Sequence, residues 1–256
     1  QYTHGLWMVI NRGTHGNTTY FLGGTGNTGS PLYFPLAYIL KEQLAFLILA
    51  LIACILFIRS IIYAHEKSFS SLLEWMRDNF VLTASIIFIG VYWINSILSP
   101  LNIGVRHVMP TFPFIYLLVS RELVRLLHRY SFSDPQTIKE WLYSLYEIFI
   151  KRMPKYLFLV LMLLWMGVSM LFAFPHYLSY YNALAGGTEN GYTFIADSNY
   201  DWGQDLRLLA DFVKENNIQN IKLSYFGGGS ARYYLGNTYE DWWSAKGEPF
   251  RGEWFA

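Results

Sequence analysis

Residues 44–58 read LAFLILALIACILFI, an apolar run without a single charge. Extended back through Lys41 to Pro35, it reaches the roughly 20 residues that an α-helix needs to cross a hydrocarbon core of about 30 Å. Further stretches share this character. FVLTASIIFIGVYWINSIL covers Phe80 to Leu98, the shorter, proline-broken VMPTFPFIYLLVS covers Val108 to Ser120, and YLFLVLMLLWMGVSMLFAF covers Tyr156 to Phe174. A chain of 256 residues that is 53% hydrophobic, 19% aromatic and 14% charged is too apolar for one ordinary soluble domain. The expected fold is mainly α, a polytopic membrane protein with about four transmembrane helices and a small extracytoplasmic α/β domain at the C-terminus. A mean hydropathy of only +0.23 fits apolar spans that alternate with polar regions.

Charge orients the connections, because basic residues near span ends are retained on the cytoplasmic side. Arg59, Lys67 and Arg77 lie between the first and second spans, and Arg121, Arg125, Arg129, Lys139, Lys151, Arg152 and Lys155 between the third and fourth. The link between the second and third holds only Arg106. The chain is therefore expected in the cell membrane as a multi-pass protein with both ends extracytoplasmic. An outer loop covers 1–34, the transmembrane region 35–174, and an outer α/β domain 175–256, where the last residues, EWFA, open an unfinished strand. IKEWLYSLYEIFIKRM places Trp141, Leu142, Leu145, Ile148 and Phe149 at helical spacing, which predicts a cytoplasmic amphipathic helix near 136–152, lying in the interface. The chain opens at Gln1 without a basic leader and cleavage site and is read as a piece of a longer protein. A net charge of +1 leaves no electrostatic footprint for nucleic acid, and the single Cys54 no intramolecular disulfide. Spans nearly free of ionisable residues argue against a transporter.

After Pro175 the pattern changes. GQDLRLLADFVKENN puts Leu206, Leu209, Ala210 and Val213 on one helical face, IKLSYF alternates as a strand, and GGGS (Gly227 to Ser230) predicts a turn. A triple glycine after a strand can also cradle phosphate through its amides, but this one lacks the lysine and spacing of a P-loop.

Four stretches in this order, GSPLYFPLAYILKEQ, LNIGVRHVMPTFPFIYL, HYLSYYNALAGG and DSNYDWGQDLRLLADFV, resemble the C-terminal half of bacterial GT-C type membrane glycosyltransferases related to protein O-mannosyltransferases (glycosyltransferase family 39). The resemblance covers nearly the whole chain. It implies transfer of a sugar from a polyprenyl-phosphate-linked donor to a protein or glycan acceptor on the outer face of the lipid bilayer. Separately, the residues call for no cofactor, a divalent cation being the one candidate they leave open. The family's catalytic acidic residues belong to the first external loop of its N-terminal half, so no residue here inherits the role of catalytic base. A non-catalytic membrane subunit is the alternative.

A carrier phosphate at the outer boundary needs a cation there, and Arg106 stands just before the proline-broken third span, in RHVMPTFP. Its guanidinium suits bidentate contact with phosphate oxygens and the charge that grows on the leaving phosphate. The competing reading is a snorkelling arginine that marks the span end. His107 reads as a packed or interfacial histidine. Lys41, near the outer end of the first span, is a second candidate for the phosphate, or else a partner for the neighbouring Glu42. Tyr33, Phe34 and Tyr38 suit a lipid or sugar groove and an interfacial belt equally well. In DSNYDWGQDL, Asp197, Asn199 and Asp201 imitate the opening of a calcium loop, yet Trp202 and Leu208 occupy the positions that need glycine and glutamate, which excludes an EF-hand. Asp201 with Gln204 fits a capping box at a helix start. Acceptor or sugar contacts through Asp197, Asn199, Asp201 and Gln204, with Trp202 as a stacking platform, are the second reading, and a divalent cation is the third.

Overall fold

The computed structural model describes residues 2–16, 18–62, 68–128 and 136–242. Helix α1 (Tyr2–His15) and an antiparallel hairpin of β1 (Thr19–Phe21) and β2 (Gly24–Gly26) occupy the N-terminal segment and lead into α2 (Tyr33–Lys41). The apolar sequence forms α3 (Leu44–Ile62), α4 (Phe69–Asp78), α5 (Phe80–Leu98), α6 (Phe112–His128), α7 (Ile138–Tyr146) and α8 (Met153–Ala173). Then come α9 (Leu206–Glu215), β3 (Ile221–Leu223), α10 (Ala231–Leu235) and β4 (Tyr239–Asp241), with β3 and β4 paired in parallel. Two compact units divide the chain, Gln1–Tyr200 and Asp201–Ala256.

Among the described residues, three helical runs are long and apolar enough to cross a membrane: α3, α5 and the stretch Ile138–Ala173. Residues such as Leu51, Ile55, Val91, Ile94, Leu164 and Leu171 turn outward, which in water would cost free energy and in lipid does not. Inward, Phe46, Leu49 and Ala53 of α3 pack against Ile115 and Val119 of α6 and Leu159, Met162 and Met166 of α8. Helix α6 is shorter, 17 residues, and carries Glu122 near its C-terminal half, 7% exposed and held by Arg121 at 2.5 Å and Arg125 at 3.2 Å. A buried carboxylate persists only with such partners.

The structure departs from the expected spans in two places. The first span does not run from Pro35, because the helix breaks at Glu42, where ψ of 151° takes the backbone out of the helical region. The loose carbonyls at the end of α2 find a distant donor. Asn182 gives its side-chain amide to Ile39 O at 2.6 Å and Glu42 O at 2.8 Å, and its backbone N–H to Leu40 O at 2.9 Å. The amphipathic stretch also runs on into the last apolar run, since α7 continues through a π-helical turn, Glu147–Arg152, into α8. Met153 N–H reaches back to Ile148 O, and this wider register accommodates Pro154, which has no N–H to give.

At the end of the bundle where α3 and α6 begin and α8 ends, a second core gathers Tyr33, Phe34 and Ala37 of α2 with Val108 and Ile195. It ties the 99–111 connection and the segment 176–200 to α2, and it frames the site described next.

Candidate functional site

A cavity of about 280 Å³ opens at that end, lined by Lys41, Glu42 and Gln43 at the α2–α3 break, Val105 and Met109 before α6, Phe112 and Tyr116 of α6, and Met170 of α8. Tyr38, Tyr177 and Tyr180 add three more aromatic rings to the wall, beside Ser169 and Ala173 of α8. A larger cavity, about 870 Å³, lies against α5 and is lined mainly by Phe80, Ile87, Phe88 and Val91, an apolar face suited to lipid.

Glu42 is the carboxylate of the smaller cavity. The Tyr116 hydroxyl donates to its Oε2 at 3.1 Å, and its Oε1 accepts only a long bond, 3.4 Å, from Gln43 N–H. Burial pushes this carboxyl above its usual range, against the Tyr116 hydrogen bond. Among the described residues, the buried Gln43 Oε1 has no hydrogen-bond partner. The aromatic wall is held rigid, with Tyr38 edge-on to Trp93 at 5.4 Å and to Phe112 at 5.2 Å.

Lys41, the last residue of α2, donates to Leu178 O and Asn199 O, each at 2.6 Å, and lies 4.5 Å from the centre of the Tyr181 ring. Burial lowers its ammonium to about 8, so it remains mostly protonated at neutral pH. Two of its three N–H donors are thus spent on the chain itself. Its main visible work is to fasten the 176–200 segment to α2, and the third donor is what remains for a ligand.

Arg106 is exposed on the 3-10 turn Val105–His107, one residue past Val105 of the cavity wall. Gly104 before it has φ of 112° and ψ of 158°, a region essentially closed to other residues. A Cβ there would stand 2.5 Å from Ser198 Oγ. His107 is partly buried, and burial together with the adjacent Arg106 holds its imidazole below the ordinary range.

The structure divides DSNYDWGQDL. Asn199 lies in the first unit and is 1% exposed. Its Oδ1 accepts from Val105 N–H at 2.8 Å, and its amide donates to the Tyr33 hydroxyl at 2.9 Å and to Ala196 O at 3.4 Å. It is a bolt between the Arg106 turn and α2. Asp197 begins the same 3-10 turn, and its side chain lies outside the described residues.

Asp201, Trp202 and Gln204 belong to the second unit. The capping box does not form, because α9 starts later, at Leu206, with Asp205 in the cap position. Gly203, at φ of 72°, turns the chain first. Asp201 Oδ1 accepts from Gly203 N–H at 2.6 Å, and Gln204 Oε1 accepts from Trp202 N–H at 2.7 Å. Trp202 is 39% exposed, its ring 5.9 Å from that of Phe226. Gly227 and Gly229 of GGGS pack on Tyr225, whose hydroxyl donates to Gly203 O at 3.0 Å and accepts from Gly229 N–H at 3.1 Å. That amide is therefore spent within the fold rather than offered to a phosphate. Among the described residues, no three His, Cys, Asp or Glu side chains converge as a metal site.

Glu42, Tyr116, Tyr177, Tyr180 and Asn182 carry no motif that marks them in the sequence: Glu42 stands there as a neighbour for Lys41, and the others lie in stretches rich in aromatics that suit an interfacial belt. The chain matches no protein-family model, no curated protein and no solved structure.

Proposed function

We propose that the intact protein is a glycosyltransferase of the cell membrane that moves a sugar from a polyprenyl-phosphate carrier to a protein or glycan acceptor on the outer face. One observation carries this reading: a tyrosine-walled cavity with Lys41, Glu42 and Gln43 in its wall lies at one end of the apolar helices, and Arg106 follows Val105 of that wall in sequence. A lipid-linked phosphate presents the same two halves, an apolar tail for helix faces and an anionic head at the boundary. In this reading α6 is a fourth crossing, packed on α3, and both ends of the chain face outward, as the lysine and arginine count favours. The exposed Trp202, with Asp201 and Gln204 beside it in sequence, offers a stacking surface for an acceptor.

Arg106 then holds the carrier phosphate and neutralises charge as the sugar bond breaks. In the full-length protein, Arg106→Ala lowers turnover on the order of 100-fold, the scale of one lost charge-stabilising donor. Arg106→Lys restores only part of it, because the bidentate geometry is gone. Full activity in a folded, inserted Arg106→Ala protein refutes the role.

A further inference from the structure

The proposed transfer reaction leaves Glu42 and Gln43 without a role, although both line the cavity that adjoins the cations. A carboxylate has about four acceptor positions. At Glu42 one is taken by the Tyr116 hydroxyl at 3.1 Å and another weakly by Gln43 N–H at 3.4 Å. The remaining capacity, and the unpartnered Gln43 Oε1, call for donors.

The chemistry of the occupant can be narrowed. A phosphate seated against Glu42 would meet a like charge, which disfavours it at this spot. A bare metal cation would want several oxygen ligands, and among the described residues lining the cavity Glu42 is the one carboxylate. A neutral ring bearing several hydroxyls satisfies both constraints, since each hydroxyl donates to an acceptor while the C–H faces lie against aromatic rings. Tyr38, Tyr116, Tyr177 and Tyr180 supply those rings. The volume of about 280 Å³ is at the small end for a ligand pocket and suits a single sugar residue.

We propose that Glu42 and Gln43 recognise the hydroxyls of the carrier-linked sugar, so that their part of the cavity is the sugar subsite and the phosphate lies at the Lys41 edge of the same wall, where Val105 leads into Arg106. The inference rests on the carrier reading above and adds a division of labour between adjacent residues. Lys41 is committed by its bonds to Leu178 O and Asn199 O, while Glu42, at the helix break, keeps acceptor capacity toward the cavity. The bonds that Asn182 makes to Ile39 O and Glu42 O hold that break in place.

The test compares binding of bare polyprenyl phosphate and of the same carrier loaded with one hexose to the full-length protein in lipid nanodiscs. Wild-type protein is expected to bind the loaded carrier about tenfold more tightly, the scale of one hydrogen bond to a charged group. Glu42→Gln removes most of that preference and leaves affinity for the bare carrier within about twofold. On wild-type protein a methyl hexoside competes with the loaded carrier and not with the bare one, a measurement that needs no variant. Equal affinity for both carriers, or equal loss of both in Glu42→Gln, overturns the sugar subsite and leaves the carrier reading standing. Binding of neither carrier removes the carrier reading and the subsite with it. A divalent cation bound through Glu42 without any sugar preference also overturns the proposal.

Discussion

Gly104 and Asp201 show, each within its own unit, how a single residue sets the local backbone. The backbone at Gly104 is open only to glycine, and its missing Cβ lets Ser198 and Asn199 approach the turn that presents Arg106. Gly104→Ala should destabilise that turn by roughly 1–3 kcal/mol, the cost of a strained backbone residue, before the contact with Ser198 is counted. A lower thermal midpoint with weaker carrier binding is the expected measurement, and an unchanged midpoint would contradict the strain. Asp201 works through a turn rather than a cap, because its carboxylate accepts from Gly203 N–H two residues on. Asp201→Asn keeps an acceptor oxygen and should be nearly silent in stability, whereas Asp201→Ala loses the bond, about 1 kcal/mol. Transfer rate measured beside the melting curve separates the roles. Lost activity in Asp201→Asn at unchanged stability makes the charge functional.

At the scale of elements, the break between α2 and α3 is decided by a residue some 140 positions away in sequence. Asn182 satisfies Ile39 O and Glu42 O, and without it two carbonyls at the helix end are left in a poorly hydrated place. Asn182→Ala should cost roughly 1–3 kcal/mol, and Asn182→Asp, which has the shape but not the donors, at least as much. Both should also disturb the Glu42–Gln43 register and so lower transfer. The turn that carries Arg106 is sensitive to pH in one direction. His107 is held below its ordinary range, so the unfolded chain takes up a proton at a pH where the folded chain does not. The stability involved is present above the ordinary histidine value of about 6.5 and falls as pH drops through it. Melting midpoints recorded from neutral to acid pH should decline, and His107→Gln should flatten part of the decline.

Over the whole molecule, the lysine and arginine count makes a topological prediction. In a Cys54→Ala background, Ser230→Cys should react with an impermeant thiol reagent on intact cells, and Ser68→Cys only after the membrane is opened. The reverse pattern would turn the protein over and place the tyrosine-walled cavity on the inner face. Apolar length measured against bilayer thickness is a one-dimensional property, which is why α3, α5 and α8 were legible from residues 44–58, 80–98 and 156–174 alone. The break at Glu42, the continuity of α7 with α8 and the late start of α9 were not, because each depends on which backbone groups lack partners once the helices have packed. The same holds for the site. Glu42 and Tyr116 are 74 positions apart, and Asn199 and Tyr33 are 166 apart. By itself the sequence determined that this chain is helical and built from spans suited to a membrane, because hydrophobicity and helix period are written locally. Only the tertiary structure decided where the first span stops, which amides hold its end and which carboxylate faces the cavity, because a buried polar group takes its partner from whatever the fold brings within hydrogen-bond reach.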